Sequence, residues 1–259
     1  MKNLSFIYNF LKNLLYYSFQ NYHYHSLGRI SIRISIILLF LFLLYIPFYV
    51  SGNELYSINK TKLQEDQFGY LHLFGEIRNN SEKSLTNITL SAKFFDLNNN
   101  ILGTYSRSPE INTLNPNQFS PFEIIYLNRD TIDKVGNFSF SVDYKVGQEK
   151  PNLLSIDHIN NRLDFTGFYY INGEITNIGT NTANNVTVVA TIYDLDGNIL
   201  GITKAITEPF VIGSKNIAAF GLAINDKTIA FKIKDFTLQA YSDIYLSNIH
   251  TRKKIILYR

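Results

Sequence analysis

Cysteine is absent from all 259 residues, so no disulfide, iron–sulfur cluster or thiolate metal site can form. That absence does not argue against export; it means that the folded parts need no covalent staples. Histidine is scarce. His23, His25, His72, His158 and His250 are scattered, without the spacing of a metal-ligand set. No Gly-x-Ser-x-Gly elbow, phosphate loop or dinucleotide fingerprint occurs. No metal, no cofactor and no catalytic constellation is therefore expected, and the chain reads as a non-enzyme.

A basic excess is also missing where it would matter. The formal charge is +3, but it is concentrated at the ends. Residues 1–54 carry +3, residues 55–145 carry −1, residues 153–243 carry −3, and the last 16 residues carry +4. A nucleic-acid partner needs a basic face to neutralise phosphates, and the two large regions are slightly acidic. Nucleic acid is excluded as a partner.

One long apolar run is present. Ile34 to Val50 reads ISIILLFLFLLYIPFYV, 17 residues without a charge. As a helix it spans roughly 25 Å, a little short of the ~30 Å hydrocarbon core. Arg33 can snorkel, and Tyr45 and Tyr49 suit an interface. All four charges before the run are positive, whereas those after it are mixed. The positive-inside rule then places the N-terminus in the cytoplasm and everything after Ser51 outside. The expectation is a transmembrane signal anchor over 34–51, behind a cytoplasmic leader over 1–33. Cleavage of a signal peptide, giving a secreted product, is the alternative.

The remainder is a repeat. Shifted by 98 positions, residues 55–145 align with 153–243 without a gap. Gly75-Glu76-Ile77-Arg78-Asn79 meets Gly173-Glu174-Ile175-Thr176-Asn177. Phe95-Asp96-Leu97 meets Tyr193-Asp194-Leu195, Phe122 meets Phe220, and Phe138 meets Phe236. Inside each copy the period is two. Ile88, Leu90, Ala92 and Phe94 alternate with polar residues, and Val186, Val188, Ala190 and Ile192 take the same phase. Leu71, Leu73 and Ile77 behave likewise, as do Phe138, Phe140 and Val142. Asn98-Asn99-Asn100, Asn115-Pro116-Asn117 and Asp196-Gly197 supply turns. An all-β fold of two sandwiches follows.

These strand and turn motifs, with the segment Leu114-Asn115-Pro116-Asn117-Gln118-Phe119-Ser120-Pro121-Phe122, resemble the FxLYD domain. Copy two departs from it where Ile212-Gly213-Ser214-Lys215 replaces the proline turn. The resemblance implies tandem immunoglobulin- or fibronectin-like modules of an exported prokaryotic protein, and by analogy a structural or binding role. The expected boundaries are sandwich one over 52–147, a linker over 148–152, sandwich two over 153–249, and a basic tail over 250–259.

The functional reading is a membrane-anchored extracytoplasmic protein for adhesion, scaffolding or protein binding. Its partners would be the membrane, through 34–51, and a protein or cell-envelope component. An accessory subunit of a membrane complex is the second reading, favoured by an exposed aromatic patch. Phe95 and Tyr193, out of phase with the core positions, are its candidates. An enzyme with a site between the sandwiches is the third, favoured by a deep cleft with paired carboxylates. Sequons at Asn59, Asn79, Asn87, Asn137 and Asn185 are candidate glycosylation sites. Asp194-x-Asp196-Gly197-Asn198 looks like the start of a calcium loop, but Ala205 stands where the closing acid belongs. Asp96 and Asp194 are expected to cap their turns instead.

Overall fold

The structure is a computed structural model that describes residues 55–66 and 68–253. The apolar segment 34–51 and the leader lie outside the described residues. Among the described residues no helix is long and apolar enough to cross a membrane. The described residues form one compact unit.

That unit is all-β. The first copy contributes β1 (Tyr56–Glu65), β2 (Leu71–Asn79), β3 (Ser84–Phe95), β4 (Ile101–Arg107), β5 (Thr113–Leu114), β6 (Phe119–Tyr126) and β7 (Asn137–Gly147), with a short 3-10 helix over Arg129–Lys134. The second contributes β8 (Asn152–Leu163), β9 (Tyr169–Asn177), β10 (Thr187–Tyr193), β11 (Ile199–Ile206), β12 (Ile217–Ile224), helix α1 (Lys227–Ala230), β13 (Asp235–Tyr241), β14 (Leu246–Ser247) and β15 (His250–Lys253). In copy one, the sheet β1-β2-β6 packs against β4-β3-β7, with β5 also on β3. In copy two, β8-β9-β12 faces β11-β10-β13, and β14 joins the two sheets by pairing with both β13 and β8.

The 98-residue period holds in the hydrogen-bond register as well as in the residue types. Leu71 pairs with Tyr126, and Tyr169 with Ile224. Phe94 pairs with Phe138, and Ile192 with Phe236. Even the lone bridge Ala183–Ile212 is the counterpart of the β3–β5 pair Leu85–Leu114. Left-handed backbone recurs at the same spacing: Lys60 and His158, Asn87 and Asn185, Asn99 and Gly197, Asn117 and Lys215 all have positive φ. Asparagine and glycine accept that region readily. The repeated glycine of β2 and β9 has a packing cause. A Cβ on Gly75 would lie 2.4 Å from the Phe122 ring, and one on Gly173 would lie 2.7 Å from the Phe220 ring.

The in-phase residues make the cores. Ile88, Leu90, Ala92 and Phe94 are fully buried, as are Val186, Val188, Ala190 and Ile192. Two findings bear on where the copies meet and end. Val189 and Leu246 of copy two are buried within the apolar cluster of copy one, so the copies share a packed boundary. And the basic segment from 250 begins as a strand: His250–Lys253 pairs antiparallel with the first half of β13, with Lys253 opposite Asp235.

Candidate functional site

The boundary between the copies holds most of the polar chemistry, because each copy presents a different sheet to it. Copy one offers the outer face of β1-β2-β6, copy two that of β11-β10-β13. Every residue of β10 is buried, its inner face by its own core and its outer face by copy one. Phe74, Tyr193 and Ile199 form a small apolar cluster there.

At its centre the Tyr193 hydroxyl donates to Glu76 Oε1 at 2.5 Å and lies 3.2 Å from Thr237 Oγ1. Lys60 Nζ lies 3.2 Å from the same Glu76 oxygen and 4.1 Å from the centroid of the Tyr193 ring. Glu76 is buried, so its carboxylate needs both partners. Burial and the Glu76 charge push the Tyr193 hydroxyl pKa far up, which keeps it a neutral donor. Around this centre Lys62 pairs with Asp194 at 3.4 Å, Lys204 with Glu110 at 2.7 Å, and Gln239 Nε2 donates to the Phe119 carbonyl at 2.7 Å. Tyr193 was expected at the surface as a candidate for a foreign partner. It is instead 3% exposed, and its partner is the other copy. Phe95, its counterpart, is half-buried.

A cleft of about 310 Å³ opens at one end of this boundary. Asp66, His72 and Glu123 of copy one line it together with Asp226 and Ile229 of copy two. His72 Nδ1 lies 2.8 Å from Glu123 Oε1, and Nε2 lies 3.2 Å from Asp66 Oδ2. The Glu123 hydrogen bond, followed by that of Asp66, raises the His72 pKa against the opposing effect of burial. Burial acts to raise the Asp66 pKa, but the backbone N–H of Tyr70, the His72 ring and the N–H of Phe68 outweigh it and lower it. The two carboxylates hold both nitrogens of the His72 ring and favour its protonated form. Both ring nitrogens and the Asp66 oxygens are engaged, so neither is a free base or nucleophile in this arrangement. Asp226 caps α1 through the N–H groups of Thr228 and Ile229.

The turn aspartates are capping residues. Asp96 Oδ1 accepts from the N–H of Asn98 and Asn100, and Oδ2 from the Asn100 amide. Asp194 does the same with Asp196 and Asn198 and also meets Lys62. Burial acts to raise the Asp194 pKa, but these hydrogen bonds lower it. A lysine ammonium thus sits beside the oxygens that a calcium loop would use, and among the described residues no cluster of three acidic, histidine or cysteine side chains could hold a metal.

Of the sequons, Asn59, Asn87, Asn137 and Asn185 are exposed. Asn79 is not available: it is fully buried, and its amide donates to the carbonyls of Lys83 and Leu114, both at 2.8 Å. Asn177 repeats this with Asn181 and Ile212. The residue is a structural tie in both copies.

Sequence reasoning missed Glu76, Lys60 and Thr237 around Tyr193, and the Lys62–Asp194 pair beside them. The signal was in the out-of-phase positions of β10, where Val189 and Thr191 replace the Ser91 and Lys93 of β3. A strand apolar on both faces is buried on both.

No family model matches the chain, and no curated protein matches it. Solved structures with distant likeness include the red sea bream transglutaminase, at 11% identity and a TM-score of 0.28 over 75% of this chain and 31% of that one. An exo-chitosanase of Amycolatopsis orientalis follows at 8% identity and 0.28, over 75% and 26%. A β-glucosidase of Kluyveromyces marxianus stands at 6% identity and 0.24, over 75% and 47%. The chain thus spans between about a quarter and a half of these proteins' lengths. At such scores the likeness carries no argument about function.

Proposed function

We propose that this chain is a non-enzymatic, membrane-anchored extracytoplasmic protein whose two FxLYD-like, immunoglobulin- or fibronectin-like copies form one rigid binding or scaffolding unit. The observation that carries the reading is the use of the polar candidates. Asp96, Asp194, Asn79, Glu76 and Tyr193 each cap a turn, tie strands or join the copies. Apart from the cleft around His72, the outside is mainly strand surface, which suits recognition. The anchor rests on the apolar run 34–51 and its basic leader. The test is topology. Protease applied to intact spheroplasts should remove a C-terminal tag and spare an N-terminal one, with the chain in the membrane fraction. A protected C-terminal tag overturns the reading.

An enzyme with a site between the copies is the second reading, and the cleft around His72 is what favours it. Loss of a measured hydrolytic activity in His72→Gln, with folding intact, would select it.

A further inference from the structure

The two copies differ at one edge. In copy two the chain turns back after β13, and β14 lies between β13 and β8, antiparallel to the first and parallel to the second. β15 then covers the first half of β13. Beneath them Phe236, Leu238, Ala240 and Ser242 are all buried. In copy one the chain leaves β7 for the second copy instead. Among the described residues β7 pairs with β3 alone, and β1 with β2 alone. The counterparts of the four buried residues, Phe138, Phe140, Val142 and Tyr144, are only half-buried. Between the two edges runs a groove of about 340 Å³, lined by Leu55, Tyr56, Ser57, Ile58, Phe140 and Tyr144. It occupies the place that β14 fills in copy two.

We propose that this groove is a strand-acceptor site, and that its occupant is an extended segment donated by a partner protein, with a short apolar stretch followed by polar residues, as Tyr245-Leu246 precedes Ser247 and His250–Lys253 in copy two. Copy two is the internal template: the same register, 98 residues on, carries a strand of this chemistry. An extended peptide added to a sheet edge gains main-chain hydrogen bonds along its length, and side-chain pockets give it selectivity. A long unpaired edge is otherwise a liability that proteins protect. β7 runs for 11 residues without a proline, and only Asp143 and Lys145 charge it. By the template, the donated strand runs antiparallel to β7 and parallel to β1. A residue in the place of Thr251 falls opposite Ser139, since Thr251 pairs with Thr237. A residue in the place of Leu246 falls opposite Asp143, since Leu246 pairs with Tyr241. This names a site for the partner that the proposed binding role requires, and its test does not depend on membrane topology.

The probe is a synthetic peptide with the sequence of residues 242–253, and the receptor is the full chain in detergent micelles. The native chain has no cysteine, so an engineered thiol is unique. Ser139→Cys, at an exposed position, should form a mixed disulfide in a glutathione buffer with a peptide carrying Thr251→Cys, and not with one carrying Ile244→Cys. Asp143→Cys with a Leu246→Cys peptide is the second in-register pair, in case either variant disturbs folding. Binding of unlabelled peptide should be saturable and should be lost in Tyr144→Asp. Absence of saturable binding overturns the proposal. So does cross-linking indifferent to register. Rapid disulfide dimerisation of Ser139→Cys alone, which would show β7 pairing with a second copy, overturns it too.

Discussion

Two copies with one register present opposite faces to each other. Copy one buries the outside of its β1-β2-β6 sheet, and copy two the outside of β11-β10-β13. The matching faces at the far sides stay in solvent: Lys93, Ser139, Ser141 and Asp143 on copy one, Asn172, Ala219, Gly221 and Ala223 on copy two. A face-to-back contact between equivalent units is heterologous, and in principle it extends without end. These two far faces are polar or bare of large apolar side chains, so neither offers the apolar surface on which a further unit would dock. Repeat arrays end in polar caps for the same reason. Identical topology therefore does not imply equivalent surfaces; the difference lies in a few outward positions on each strand.

The contrast is open to direct attack. The largest effect is expected at Val189, which is 1% exposed and packed into the cluster of copy one. Val189→Lys buries an unpaired charge and should cost about 3–5 kcal/mol. Ser91→Lys, at the equivalent position on the open face, should fall within about 0.5 kcal/mol of the parent. Urea unfolding of both variants measures the difference. Equal costs would mean that the inter-copy face is not closed in solution.

Next come the paired asparagines. Asn79→Ala and Asn177→Ala each remove two side-chain hydrogen bonds to carbonyls, one of them buried, and the acceptor of a backbone N–H, that of Ser81 in one copy and of Gly179 in the other. Each should cost about 2–4 kcal/mol, and by similar amounts, since the networks superpose. A large inequality would show that one copy depends on its neighbour for stability. Tyr193→Phe follows: it removes the neutral donor to Glu76 and should cost about 1–3 kcal/mol. Phe95→Tyr, which writes the copy-two residue into copy one, gains no such partner and should be close to neutral.

The smallest effect is the one that depends on pH. His72 has Tyr170 as its counterpart, so the clasp belongs to copy one alone. Its pKa is raised in the folded state. Its contribution is therefore complete below the unfolded value of about 6.5 and is lost as pH rises through the higher folded value. Asp66 has a lowered pKa; its contribution is complete above the unfolded value of 3.8 and fades as pH falls through the lower folded one. His72→Gln should thus narrow its stability gap from the parent on moving from pH 5.5 to pH 9. By thermal melting at the two pH values, a gap that widened instead would mean the histidine is held neutral.

Much of this was legible before any coordinates. The alternation at Ile88, Leu90, Ala92 and Phe94 gave the buried face of β3, because a strand's side chains alternate strictly. Asn99 and Gly197 marked their hairpins, since few other residues accept positive φ. The offset of 98 carried over to register, because register follows from which face is apolar and from turn geometry. Asn79 was harder to read: a sequon pattern says nothing about burial, and of its partners Ser81 and Lys83 are near in sequence whereas Leu114 lies 35 positions away and meets it only in the folded chain. Tyr193 and Phe95 are equivalent in the alignment and differ in fate, since nothing local says which outer face meets the other copy.

The phase of the alternating faces, the turns and the duplication were thus determined by the sequence itself, through periodicities that act over a few residues and an offset of 98. The docking of copy on copy was decided by tertiary structure, as was the pairing of Glu76 with Tyr193 across 117 positions. So was the covering of the β13 edge, which the β7 edge lacks among the described residues. Those outcomes depend on which distant surfaces exclude water together, and no local pattern records that choice.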